Sequence, residues 1–149
     1  MELLKIVIFR VENRHFAIFS KNVKEIIDSA SGVNPVFYGG KALKGIMSFG
    51  SDLISVLDSH FLLGLGNDRG EQMILVCKEK EMEKPVGITV SAVKGMEIVS
   101  LSSVISAQGN DEVYISGLIA EVMGGKEIAV PLLDLRRFLD FAETRIEKL

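Results

Sequence analysis

The chain writes one phrase twice. Gly45-Ile46-Met47 leads through Leu53-Ile54-Ser55-Val56-Leu57 to Asp58 and on to Phe61-Leu62-Leu63. Gly117-Leu118-Ile119 leads through Ile128-Ala129-Val130-Pro131-Leu132-Leu133 to Asp134 and on to Phe138-Leu139. In each copy a glycine opens a strand, a turn follows, a second strand returns and an aspartate starts a helix. Within 149 residues, such a doubled unit predicts two similar subdomains. Halves of about 70 residues bury only ~60% of their unfolded surface. The two are therefore expected to share a large interface and behave as one unit.

The surface chemistry narrows the function. The net charge is −3 and no basic run occurs, whereas nucleic-acid binding needs concentrated positive charge. The most charged stretch, Glu79-Lys80-Glu81-Met82-Glu83-Lys84, is mixed in sign and reads as a solvated turn. Cys77 is alone and lies in the apolar run Met73-Ile74-Leu75-Val76-Cys77, so it has no disulfide partner within the chain and reads as a small buried hydrophobe. The N-terminus lacks the pattern of a signal peptide, and no apolar run approaches the length of about 18 residues that spans a membrane. A cytoplasmic protein with no direct membrane insertion is expected.

Strands dominate the pass along the chain. Leu3 to Val11 is nearly continuously apolar and should be covered on both faces. Glu12-Asn13-Arg14 turns it into His15 to Phe19, a hairpin. Ser20 to Asp28 reads as a short helix, capped by Ser20 or Asn22, with Val23, Ile26 and Ile27 on one face. Gly32, Pro35, Gly39 and Gly40 make Asp28 to Lys41 a loop. Lys44 to Met47 and Leu53 to Leu57 form a second hairpin, and Asp58 caps a helix that Gly64 can end. Gly64 to Gly70 is a loop and a candidate boundary. Gln72 to Lys78 and Pro85 to Val90 form another hairpin, and Val93 to Val99 continues as strand. Ser100 to Ile105 is short and mixed, and Ser106 to Asp111 is a polar, mobile loop. Glu112 to Val122 and Lys126 to Leu133 pair before a helix with Leu135, Phe138, Leu139, Ala142 and Ile146 on one apolar face. Short, regularly spaced strands with glycine turns point to two small closed barrels.

Little in this pattern is chemical. His15 and His60 lie apart, neither at metal-ligand spacing, and His60 reads as a surface or boundary residue. No nucleophile elbow, phosphate loop or zinc-protease motif occurs. Asp58 and Asp134 read as structural caps rather than as a catalytic carboxylate pair. Met47, Met73 and Met96 fall in strands and read as core. Phe37 and Tyr38 sit in a glycine-rich loop. Ordinary packing against a barrel is slightly favoured for this pair, and an exposed contact surface is the alternative.

The ordered pieces resemble the CheW-like family of chemotaxis adaptors. Ile6-Val7-Ile8-Phe9-Arg10-Val11 with Phe16-Ala17-Ile18 is similar to the family's first hairpin. Val23-Lys24-Glu25-Ile26-Ile27 resembles its Val-x-Glu-Ile helix, and Val33-Asn34-Pro35-Val36 the loop that follows. Gly45 through Val56-Leu57-Asp58 to Leu63-Gly64-Leu65 resembles the Gly-Val-Ile-Asn-Leu-Arg-Gly segment, strand and Leu-Gly-Leu helix end. Val86-Gly87-Ile88-Thr89-Val90-Ser91-Ala92-Val93 is similar to the Val-Gly-x-x-Val-Asp-x-Val strand. Tyr114-Ile115-Ser116-Gly117 and Leu132-Leu133-Asp134-Leu135 resemble the closing elements.

The resemblance implies a mainly β fold: two intertwined, SH3-like, five-stranded barrels with short helices and a C-terminal helix. It implies one domain over residues 1–149, with one subdomain near 12–70 plus the last helix and another near 1–11 and 71–133. It implies no enzyme activity and no cofactor, and a scaffold joining chemoreceptor tips to the regulatory domain of a CheA-type histidine kinase. The kinase interface would involve Ile46, Met47, Ser48, Phe49, Gly50 and Leu53. The receptor groove would involve Val23, Glu25, Ile26 and Ile27 with Val86, Ile88, Val90 and Ser91. Phe37 and Tyr38 are a further candidate contact.

The departures from the family pattern lie at polar positions. Gly50 stands at the family's Arg, Ser51 at its Gly and Ser91 at its Asp. Arginine supplies five fixed donors and is enriched at binding hot spots. Its loss motivates an alternative: a divergent paralogue that has lost standard array contacts and acts as a decoy, or in pilus or gene-control signalling. With Ser at 51, the turn is expected to be rebuilt around Gly50.

Overall fold

The computed structural model describes residues 2–66, 70–106, 112–123 and 125–147, and for 121–123 the backbone alone. Most of the polar loop expected over Ser106 to Asp111, and the middle of the boundary loop Gly64 to Gly70, lie outside the described residues. The β-branched runs pair where hairpin turns allow. Leu3–Val11 (β1) pairs with Arg14–Phe19 (β2), and Leu43–Phe49 (β4) with Asp52–Leu57 (β5). Met73–Cys77 (β6) pairs with Val86–Val90 (β7), and Ile115–Met123 (β10) with Lys126–Leu133 (β11). Val23–Ile27 (β3), Ala92–Ser100 (β8) and Val104–Ser106 (β9) complete the strands, with helices Ser59–Leu62 (α1) and Leu135–Arg145 (α2).

These strands form two sheets, ordered β8-β1-β2-β11-β10-β9 and β3-β6-β7-β5-β4. Each copy of the doubled phrase supplies one antiparallel pair, β4–β5 or β10–β11. Both copies carry a bulge at the same place, between Leu43 and Gly45 and between Ile115 and Gly117. Each pair is then joined in parallel by the second strand of a hairpin from elsewhere: Leu57 pairs with Ile88, and Leu132 with Ala17. The β1–β2 hairpin thus sits in the sheet of the second copy, and β6–β7 in the sheet of the first. That exchange is the intertwining.

The sheets fix what the sequence could not. Leu3–Phe19 and Ala92–Leu133 share one sheet, and Val23–Val90 forms the other. β2 and the β6–β7 hairpin therefore pair on the opposite side from the expected subdivision. The sheets hold six and five strands, and among the described residues neither sheet's outer strands pair with each other. They are not closed barrels, but two sheets of six and five strands with a C-terminal helix are consistent with the SH3-like pair expected.

Side-chain alternation gives each sheet two apolar faces. One face of the first sheet closes on Ile6, Ile8, Ala17, Ile119, Val130 and Leu132. One face of the second closes on Met47, Ile54, Val56, Ile74 and Val76. The remaining faces meet in a central core that includes Phe9, Phe16, Leu75, Ile88, Leu133 and Phe138. Phe9 stacks on Phe16 with ring centroids 5.7 Å apart. Burying each such side chain contributes about 1.5–3 kcal/mol, and the central set belongs to both halves at once.

Local corrections have physical causes. Ser20–Asn22 is a single 3-10 turn, and Val23–Ile27 is a strand rather than a helix, because it pairs with β6 over Val23↔Cys77 to Ile27↔Ile74. Asn22 holds that joint: its side-chain amide donates to the Lys78 carbonyl at 3.3 Å and its own carbonyl accepts from Lys78 N–H at 2.8 Å. Met96 is 63% exposed rather than core, because β8 is an outer strand. The helix starts agree with expectation. Phe61 N–H donates to Asp58 Oδ1 at 3.2 Å, and Arg137 N–H to Asp134 Oδ1 at 3.0 Å. Gly64 ends α1 in the left-handed region at φ 69°.

Candidate interaction surfaces

The β4–β5 hairpin presents one face and buries the other. Register places Met47 opposite Ile54, and both enter the core of the second sheet, with Phe49 partly buried against it. Ile46 opposite Ser55, and Ser48 opposite Leu53, point the other way. Leu53 is 61% exposed, and Ile46 is its half-buried diagonal neighbour. The face offered outward is thus apolar at Ile46 and Leu53 and polar at Ser48 and Ser55, the pattern of a small interface. Met47 supports this face from behind. Gly50 forms the tip at φ 60°, a conformation that L side chains adopt at a cost, with Ser51 beside it. The turn is built around Gly50, as expected.

Β3 ends the second sheet and pairs only with β6. Glu25 and Ile26 are exposed along it, while Val23 and Ile27 pack inward. The other half of the expected groove is not a surface. Val86, Ile88 and Val90 are buried in the central core, because β7 is the middle strand of its sheet and is covered on both sides. They cannot touch a partner directly. Phe37 is fully exposed and Tyr38 about half so, which corrects the expectation that they pack against the sheet. Gly39, at φ 89°, follows them and pairs with Glu147.

Ser91 and His60 belong to a buried polar joint. His60 is 1% exposed, not a surface residue. Its Nδ1 lies 2.8 Å from Gln72 Nε2. His60 Nε2 lies 3.2 Å from both Glu12 Oε1 and Ser91 Oγ, and Ser91 Oγ accepts from Glu12 N–H at 2.9 Å. The joint ties the β1–β2 turn, where Glu12 takes φ 53°, to α1 and to the β7–β8 junction. A second tie joins the same hairpin to the start of β10. Arg14 grips the Glu112 carboxylate with both guanidinium ends, Nη1 at 2.8 Å, and Tyr114 Oη donates to it at 2.9 Å. The hydrogen bonds from Arg14 hold the Glu112 carboxyl below the usual carboxylate range, against the opposing pull of burial. Cys77 is buried, and burial pushes its thiol up to about 12, so it is inert.

Two features escaped the sequence reading. Met96 and Ile98 of β8, opposite Val7 and Lys5 of β1, are exposed, as is Leu3. The sequence places both residues in a strand but carries no signal that this strand ends a sheet. The polar joint draws on Glu12, Asp58, His60, Gln72 and Ser91, too dispersed to form a motif. Among the described residues no group of His, Cys, Asp or Glu could hold a metal ion, and no helix is long and apolar enough to cross a membrane.

Comparison with known proteins places this geometry. The family model described as CheW-like domain matches residues 5–143. The fold is similar to the crystal structure of the scaffolding protein TtCheW from Thermoanaerobacter tengcongensis, with a TM-score of 0.74 at 18% identity over 90% of this chain and 92% of that one. No curated protein matches the chain.

Proposed function

Because this chain belongs to the CheW-like domain family, matched over residues 5–143, we propose that it is a non-enzymatic, cytoplasmic adaptor coupling chemoreceptor tips to the regulatory domain of a CheA-type histidine kinase. The observation that carries the reading is the family match over nearly the whole chain. The kinase regulatory domain docks on the outer face of the β4–β5 hairpin, at Ile46, Ser48 and Leu53. Leu53 supplies an exposed apolar anchor on a backbone held by paired strands. The receptor's helical tip docks along the open edge of β3, at Glu25 and Ile26. Both contacts are small to standard in size. The test is a pull-down with kinase regulatory domains and receptor tips from the source organism. Retention of both supports the adaptor, and binding neither at micromolar concentration sinks it.

A second reading rests on Gly50, which offers no side chain where the family carries Arg. In this reading the chain is a paralogue that has left the array. A Cβ at position 50 has nothing within 4 Å, and Gly50→Arg carries the strain of a side chain on a left-handed backbone. Ser91→Asp keeps an acceptor facing Glu12 N–H and His60. Recruitment gained only in the double variant supports the second reading, whereas recruitment of the native chain excludes it.

A further inference from the structure

The two ends of the central core are built alike and finished differently. Val23 pairs with Cys77 as Ala92 pairs with Arg10. Glu79 therefore stands where Glu12 does, and Asp134 starts its helix where Asp58 starts the other. At the first end the β1–β2 turn is tight, and Glu12 folds down onto Ser91 and His60 and fills the joint. At the second end the β6–β7 connection, residues 78–85, is longer. Lys78 pairs with Asn22 at its base, while Glu79 and Lys80 line an opening toward the 3-10 turn Ser20–Asn22 and the start of α2. A cleft of about 580 Å³ remains between them.

Lysines line that cleft from both walls: Lys21 and Lys24 on one side, Lys78 and Lys80 on the other. Glu79 and Asp134 are its acids, so four positive charges face two negative ones, on a chain whose net charge is −3. Among the described residues none of these lysines forms a salt bridge. The Lys21 ammonium lies 5.5 Å from the Phe19 ring centroid, and Phe19 gives the cleft an apolar wall.

We propose that this cleft seats an acidic polypeptide segment of a partner protein, its carboxylates reaching the four lysines and an apolar side chain resting on Phe19. The charge layout selects this occupant. Lysines are mobile point charges rather than planar forks, and here they are dispersed along two walls. Single charges spaced along a chain fit them. A compact phosphate does not, because Asp134 already occupies the α2 terminus and repels a dianion there. A membrane surface would need a projecting basic face, and these lysines line a hollow. The inference stands apart from the adaptor reading, since it does not depend on which protein offers the segment.

The test uses the full chain and a labelled peptide of about twelve residues, mostly glutamate with two leucines. Binding is followed by anisotropy, and the site by amide chemical shifts. Saturable binding is expected at about 50 mM salt, weakening about tenfold at about 500 mM as the charges are screened. Shifts are expected at Lys21, Lys24, Lys78 and Lys80. Lys21→Glu with Lys80→Glu changes two exposed side chains, so the fold should survive, as circular dichroism would verify. This variant should lose binding about tenfold and gain it for a lysine-for-glutamate peptide. No saturation by about 1 mM overturns the proposal, and so do shifts confined elsewhere. Tripolyphosphate binding tighter than the peptide, or recruitment to phosphatidylserine vesicles in its place, also overturns it.

Discussion

Gly45 and Gly117 open the two copies of the repeated phrase, and neither has room for a methyl group. A Cβ on Gly45 would fall 2.1 Å from the Asn34 carbonyl oxygen, a backbone atom held by reciprocal bonds between Asn34 and Ile46. A Cβ on Gly117 would meet Val104 Cγ1 at 2.8 Å and the Ile105 oxygen at 3.1 Å. A side-chain methyl can move more cheaply than a paired backbone. Gly45→Ala should therefore cost about 3 kcal/mol and Gly117→Ala about 1 kcal/mol, read as shifts in urea midpoint. Equal costs would show that the Asn34 backbone bridged to β4 yields as easily as a rotamer. Asp58 and Asp134 complete the copies. Each aspartate's own N–H donates at 2.8 Å to a carbonyl before the bulge, Ala42 or Tyr114. Each side chain caps its helix, so Asp→Ala at either site should cost about 1 kcal/mol. Partner binding should stay intact, and binding lost without a change in melting would make either residue part of an interface.

At the scale of elements, the hairpins were readable because turn residues and alternation act within a few residues of each other. The Val23–Ile27 segment was not. Val23, Ile26 and Ile27 fit a helical stripe, but the segment is too short for helical periodicity to outweigh the ladder that β6 offers. His60 was misplaced for a related reason: its burial depends on Gln72, Ser91 and Glu12, which only the fold assembles. The candidate surfaces divide likewise. Leu53 follows from the alternation of β5, whereas the burial of Val86, Ile88 and Val90 depends on β7 lying mid-sheet. The Arg14–Glu112–Tyr114 tie between hairpin and β10 is a similar long-range product, and it gives a pH signature. The Glu112 carboxyl is held below its ordinary value of about 4.3. Its stabilising contribution is therefore present above that unfolded value and lost as pH falls through the lower folded one. Glu112→Gln should cost about 0.5–1 kcal/mol at pH 7, modest because the pair is partly exposed. The difference from the native chain should vanish in strong acid. A cost that persisted there would mean that the neutral carboxyl already made the tie.

For the whole molecule, the doubled phrase announced two halves but not how they interlock. Which sheet a hairpin joins is decided by pairings such as Leu132↔Ala17 and Leu57↔Ile88, between residues far apart in sequence. Because each half holds a hairpin from the other, neither half owns a complete sheet, and the central core is built from both. This predicts one folding unit. Ile88 is 1% exposed on β7 and faces the central core. Ile119, fully buried, belongs to the core of the first sheet alone. Ile88→Ala should cost about 2–5 kcal/mol, and Ile119→Ala a similar amount. If the halves are independent, Ile119→Ala lowers amide protection in β10 and β11 and leaves β6 and β7 untouched. If the exchange of hairpins couples them, native-state hydrogen exchange shows the most protected amides of both sheets losing protection together in either variant. Chemical unfolding then stays a single transition by every probe. The exchanged hairpins make the coupled result the expected one, since β1 and β2 cannot leave the first sheet without also exposing Phe9 and Phe16 of the shared core.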